Sequence, residues 1–122
     1  MRVFQAAGIW GLLLLSGLYL AYLAGAGEFS VVTSHPQYVH GFFLVGLAWQ
    51  VAFLMIATDP IRYRLMMLVA MLEKFPFTLA TLLLYSNGDI PASVLGVGLI
   101  DGLLGVLFGV SYAITADSAD AD

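Results

Sequence analysis

The chain has no cysteine, which excludes disulfides, thiolate metal sites and cysteine nucleophiles. Charge is scarce as well. Lysine and arginine together number 4 and aspartate and glutamate 8 among 122 residues, or 10% charged; a soluble domain usually carries about 25%. With 61% hydrophobic residues, the chain has too little polar surface to cover a water-facing globule. Its few basic residues exclude nucleic acid as a partner, because that binding depends on neutralising many phosphates. No strand-like alternation of useful length is present, which argues against a β-barrel. HExxH, GxSxG, P-loop and dinucleotide fingerprints are all missing. Ser16, Ser86, Ser93 and Ser111 have no His/Asp companions at a recognisable spacing. An enzyme acting alone is therefore the least favoured role, and no catalytic residue is assigned.

What is present is apolar length. A membrane helix needs about 20 apolar residues, and four stretches supply them: Val3–Ala24, Val39–Ala57, Leu65–Tyr85 and Val94–Thr115. The first two are free of charge, the third holds only Glu73 and Lys74, and the fourth only Asp101. Breaker chemistry fills the connectors. "GAGEFSVVTSHPQY" has glycines and Pro36, "TDPIRYR" sets Asp59 before Pro60, and "SNGDIPAS" carries the turn pair Asn87-Gly88 and then Pro91. The uncharged stretch from Val3 to Gly27 is long for the apolar core of a signal peptide, so the first run is expected to be a true span. The expected fold is all-α: a single four-transmembrane-helix antiparallel bundle over residues 1–116. The acidic tail 117–122, with Asp117, Asp120 and Asp122, is the main source of the net charge of -4.

Arg2 precedes the first span, and Arg62 and Arg64 lie between the second and third. The positive-inside rule then puts both termini and the "DPIRYR" loop in the cytoplasm, in a bacterial inner membrane. Arg62 and Arg64 are expected to anchor the third span at lipid phosphates. Tyr38, Tyr63, Tyr85 and Tyr112 fall near the expected interfaces, as aromatic belts do.

Depth is the most informative property. At about 1.5 Å per residue, Glu73 and Lys74 lie within roughly 3 Å of the centre of their span, and Asp101 about 5 Å off centre in its own. Gln50 and Ser16 occupy similar depths in the second and first spans. A centrally placed charge costs about 2.5–3.5 kcal/mol on insertion scales, so these residues are expected to face inward and neutralise one another. Lys74 with Asp101 is the first pair to expect, leaving Glu73 as the spare acid, which could be protonated, could share Lys74, or could bind a group outside the chain. Because Glu73 and Lys74 are offset by about 100°, they are expected to point in different directions. Lys74, Thr78, Thr81 and Tyr85 share a helix face. Pro76 lacks an N–H and frees the carbonyl of Leu72. A kinked, polar and charged turn suggests a small buried site of Glu73, Lys74 and Asp101, with Gln50 and His40 on its wall.

Two further patterns stand out. Gly98, Gly102, Gly105 and Gly109 lie on one face with two GxxxG spacings. Such a face serves helix packing inside the bundle, or homodimer or larger-complex formation. His35 and His40 are the only histidines; either could ligate a haem, and the pair a metal.

At "HPQYVHGF", "TDPIRYRLMM", "LEKFPF" and "LIDGLLGVLFGVSYA", the chain resembles, mainly in layout, uncharacterised bacterial four-helix membrane proteins of the broad DoxX-like type. The resemblance covers Tyr38 to Ala113. The lysine that often ends the first helix of such proteins is missing, since that end reads "YLAGAGEF". The resemblance implies a possible link to redox complexes or quinone chemistry and transfers no catalytic residue. Three roles are thus expected in order: binding of a small amphipathic ligand or protons at the polar site, an accessory subunit of a membrane complex, and a haem- or quinone-linked redox protein.

Overall fold

A computed structural model describes residues 2–25 and 35–117. Among these residues four long helices are formed: α1 (Arg2–Leu23), α2 (Pro36–Thr58), α3 (Arg64–Ser86) and α4 (Ala92–Ile114). Each is long and apolar enough to cross a membrane. The acidic tail beyond Asp117 lies outside the described residues, as does most of the first connector.

The helix ends follow the breaker residues. α2 begins at Pro36, where a missing N–H costs nothing because the first N–H groups of a helix have no intrahelical acceptor. Asp59 ends α2, and its carboxylate accepts the Arg62 N–H at 3.2 Å, which closes the turn into α3. At the far end of α3, Gly88 adopts φ +79. The Gly88 N–H donates to the Tyr85 carbonyl and the Asp89 N–H to the Leu84 carbonyl, the paired bonds of a glycine-terminated helix. Pro91 then stands extended before the first turn of α4. Pro76 lies inside α3, and the helix continues through it.

The helices associate mainly as two hairpins, α1 with α2 and α3 with α4. Glycine permits both close approaches. A Cβ on Gly8 would lie 2.7 Å from the Leu54 side chain, and one on Gly46 2.9 Å from Leu15. Across the other hairpin, Gly98, Gly102, Gly105 and Gly109 face Thr81, Thr78, Phe75 and Met71 in turn. The glycine face of α4 is thus filled by α3 of the same chain. Thr78 adds a polar clasp, its hydroxyl donating to the Gly98 carbonyl at 2.8 Å. The polar stripe of α3 therefore serves α3–α4 packing through Thr78 and Thr81, while Tyr85 at its end is exposed. Lipid is as apolar as leucine, so close packing and hydrogen bonds, rather than escape from water, hold such helices together.

The hairpins join near the end of the molecule that carries Arg2, Arg62 and Arg64. Phe4 stacks on Phe108 with centroids 4.2 Å apart, and Phe53 meets Phe108 at 5.0 Å. Met67 and Ala70 of α3 complete this fully buried cluster. Arg64 fastens the same end. Its Nε and Nη2 donate to the Tyr112 carbonyl at 3.1 and 2.9 Å, and its guanidinium lies 3.7 Å from the centre of the Tyr112 ring. Arg64, expected at lipid phosphate, also fastens the last turn of α4.

Gly98→Ala is expected to lower stability by about 1–3 kcal/mol, the usual cost of overpacking, because the new methyl would collide with Thr81. Gly96→Ala, where a Cβ meets nothing within 4 Å, is expected to cost nothing. Equilibrium unfolding of both variants in bicelles checks the contrast.

Candidate functional site

In the half of the molecule away from the phenylalanine cluster, the two hairpins do not close on each other. A cavity of about 450 Å³ lies between them, within the usual range for small-molecule sites, and all four helices contribute to it. From α1 come Trp10, Gly11, Leu14, Leu15 and Leu18; from α2, Phe42, Phe43, Gly46 and Gln50. The α3 wall is Glu73, Lys74 and Phe77, and the α4 wall is Ser93, Val94, Val97 and Asp101. Most of this lining is aliphatic or aromatic. Apart from Ser93 at the first turn of α4, the polar side chains gather at the depth of Gln50, Glu73, Lys74 and Asp101 and form a floor next to the phenylalanine cluster.

Lys74 is the centre of that floor and is 4% exposed. Its ammonium donates to Asp101 Oδ1 at 3.1 Å and lies 3.4 Å from Glu73 Oε2. It also sits 5.2 Å from the centre of the Phe53 ring, so the floor rests directly on the closed end. The depth-matched Lys74–Asp101 pair expected from the sequence is present. The divergence expected between Glu73 and Lys74 is not. Both line the cavity, because the four-carbon stem of lysine lets its ammonium swing across the helical offset to its neighbour.

The two carboxylates are not equivalent. Asp101 takes the hydrogen bond of the ammonium, whereas Glu73 Oε2 is buried without a hydrogen-bond partner. Gln50 is in a similar state. Its amide nitrogen donates to the Gly46 carbonyl at 2.9 Å, while its Oε1 is buried and unpartnered. That oxygen rests against Gly11, where a Cβ would overlap it. Buried polar atoms nearly always find partners, so the unpartnered Gln50 oxygen and a Glu73 oxygen held only by a 3.4 Å ion pair leave the floor incompletely satisfied.

Other expected members fall elsewhere. Ser16 is exposed on α1, and α1 reaches the layer through Gly11. His40 is half-buried but is not part of the lining. Its Nδ1 shares a 2.6 Å hydrogen bond with Tyr19 Oη, and its ring packs edge-on against Tyr22. His35 is exposed ahead of α2 and contacts Tyr38. Among the described residues, no three metal-ligating side chains gather.

The residues that sequence reasoning missed are Gly11 and the aromatic walls. Gly8 and Gly11 repeat on one face of α1, the same small-residue signal that was plain on α4. Trp10, Phe42 and Phe77 were hidden because every span is rich in such side chains, and only the packing selects which of them border a void.

Fold and site together define a small protein of four membrane-length helices with a charged, incompletely satisfied floor beneath an apolar cavity. No protein-family model matches the chain, and neither a curated protein nor a solved structure matches it.

Proposed function

We propose that this chain is a transmembrane binding protein that holds a small amphipathic molecule between its two helical hairpins. In this reading the helices form an antiparallel bundle in the inner membrane of a bacterium, with both termini and the "DPIRYR" loop in the cytoplasm. The carrying observation is the cavity, whose apolar walls end on Glu73, Lys74 and Asp101. An ionisable residue at membrane depth is expensive and marks a functional site by default. Here three of them border one void. The apolar body of a ligand would lie along Leu14, Leu18, Phe77 and Val97, with its polar end at the floor.

Val97→Trp fills the cavity without touching the ion pair. Native mass spectrometry of protein extracted in mild detergent is expected to show one retained amphiphile per wild-type chain and less than about one tenth of that occupancy in the variant, the loss of a whole apolar contact face being worth more than 1.4 kcal/mol. Equal occupancy in both proteins would move the ligand out of this cavity.

The buried Lys74–Asp101 bond favours a second reading, in which the pair is a register pin in an accessory subunit of a larger membrane complex. A stoichiometric partner retained through mild-detergent purification, with no amphiphile bound, is the result that reading requires.

A further inference from the structure

The charges and hydrogen-bonding capacity of the floor specify the ligand more closely, an inference that rests on the cavity being a binding site. We infer that the cavity selects an amphipathic monocation: a protonated amine or quaternary ammonium group carried on an apolar body.

The first argument is formal charge. Two carboxyl groups, Glu73 and Asp101, share a single ammonium, Lys74. With all three ionised, the floor carries one uncompensated negative charge. No other basic side chain lines the cavity. Arg64 is committed to the Tyr112 carbonyl and the Thr115 hydroxyl at the opposite end of α4. An unpaired charge away from water is strongly disfavoured, so the floor is balanced either by a proton on one carboxyl group or by its occupant, and the occupant this charge favours is a cation.

Hydrogen-bonding capacity points the same way. Gln50 is 2% exposed, and its oxygen, an acceptor, has no hydrogen-bond partner; Glu73 Oε2, also an acceptor, is held only by the 3.4 Å ion pair with Lys74. The Lys74 ammonium is directed to Asp101 and Glu73, and the Gln50 amide nitrogen donates to Gly46. A ligand that brings N–H groups or a positive charge meets the Gln50 oxygen and the Glu73 carboxylate as acceptors. An anionic amphiphile meets the same floor with the wrong sign.

Position selects Glu73 as the residue that meets the ligand. Its side chain is 21% exposed, against 16% for Asp101 and 5% for Lys74. The ammonium stays beneath, on Asp101, and the Glu73 carboxylate faces the void. The rings of Trp10, Phe42 and Phe77 also line the cavity. Their negative π faces favour a cation within about 6 Å, and tryptophan does so most strongly. Aromatic walls with a carboxylate are suited to a weakly hydrated organic cation that gives up little solvation on entering.

The test uses an isosteric pair of probes. Benzyltrimethylammonium and neopentylbenzene have the same shape and differ in one atom, nitrogen against carbon, and hence in charge. Titration of the full chain in zwitterionic nanodiscs, read by tryptophan fluorescence and corrected with empty discs, is expected to show the cation binding at least about 10-fold more tightly than the neutral isostere. Glu73→Gln, which keeps the side-chain shape, is expected to bring that ratio to about 1. Equal binding of the two probes to the wild-type chain would overturn the cation preference and leave the cavity as a binding site. Binding of neither probe would overturn both. Should Glu73→Gln fail to fold, the wild-type ratio decides alone.

Discussion

Replacing Lys74 by methionine is expected to destabilise the protein by about 3–5 kcal/mol, the cost seen when one partner of a buried ion pair is removed. The geometry explains the size of the effect. Methionine approximates the lysine stem, so little packing is lost. What remains is two carboxylates lining one cavity with the charge between them gone. Asp101 loses its 3.1 Å hydrogen bond, and Glu73 loses its only ion-pair partner. Removing the charges together gives the contrasting result. In the triple variant Glu73→Gln, Lys74→Met, Asp101→Asn nothing charged is left in the floor, and most of the lost stability is expected to return, as when buried ion pairs are replaced by uncharged groups of similar volume. Reversible unfolding in bicelles, monitored by far-ultraviolet circular dichroism, measures both. A loss below about 1 kcal/mol for Lys74→Met, the worth of an exposed pair, would show that water reaches the floor freely.

Phe108→Ala is the second large effect, expected at about 3–5 kcal/mol. Phe108 is fully buried and is the ring on which Phe4 of α1 and Phe53 of α2 converge. In the other half of the molecule the hairpins are held apart by a cavity, so this cluster carries much of the contact between them. Truncating the ring removes contacts to both helices of the opposite hairpin at once. The void left behind adjoins the floor through Phe53, which lies beneath the Lys74 ammonium. The same unfolding measurement applies, and Val106→Ala, an exposed position on α4, serves as the control expected to change stability by less than about 0.5 kcal/mol.

How much of this was legible in the sequence varies with the physics of each feature. The four helices were plain because 20-residue apolar runs between Gly/Pro connectors leave few alternatives; their ends agree with the structure to within a few residues. The Lys74–Asp101 pair could be read from depth, since burying charge is costly enough to force opposite signs at one level together. The orientation of Glu73 could not be read, because helical phase fixes where a Cβ points but not where a long flexible stem carries its charge. The glycine face of α4 was visible, and the structure supplies its occupant, α3. The Arg64 bonds to the Tyr112 carbonyl could not be read, because the sequence does not show that this carbonyl lies within reach. The cavity was not legible at all. A void is a property of how hairpins meet, and leucines and phenylalanines that border it are spelled like those on the outer surface of the helices.

The account stands on the space between the hairpins being occupied by a ligand seated on the charged floor. An experimental density map of the protein in lipid nanodiscs tests this most directly. The expected result is elongated non-protein density along Leu14, Phe77 and Val97, with one end at hydrogen-bonding distance, about 3 Å, from the Glu73 carboxylate. A map in which α1 and α2 have closed onto α3 and α4, with side chains filling the space and the Lys74–Asp101 pair sealed among them, would contradict it.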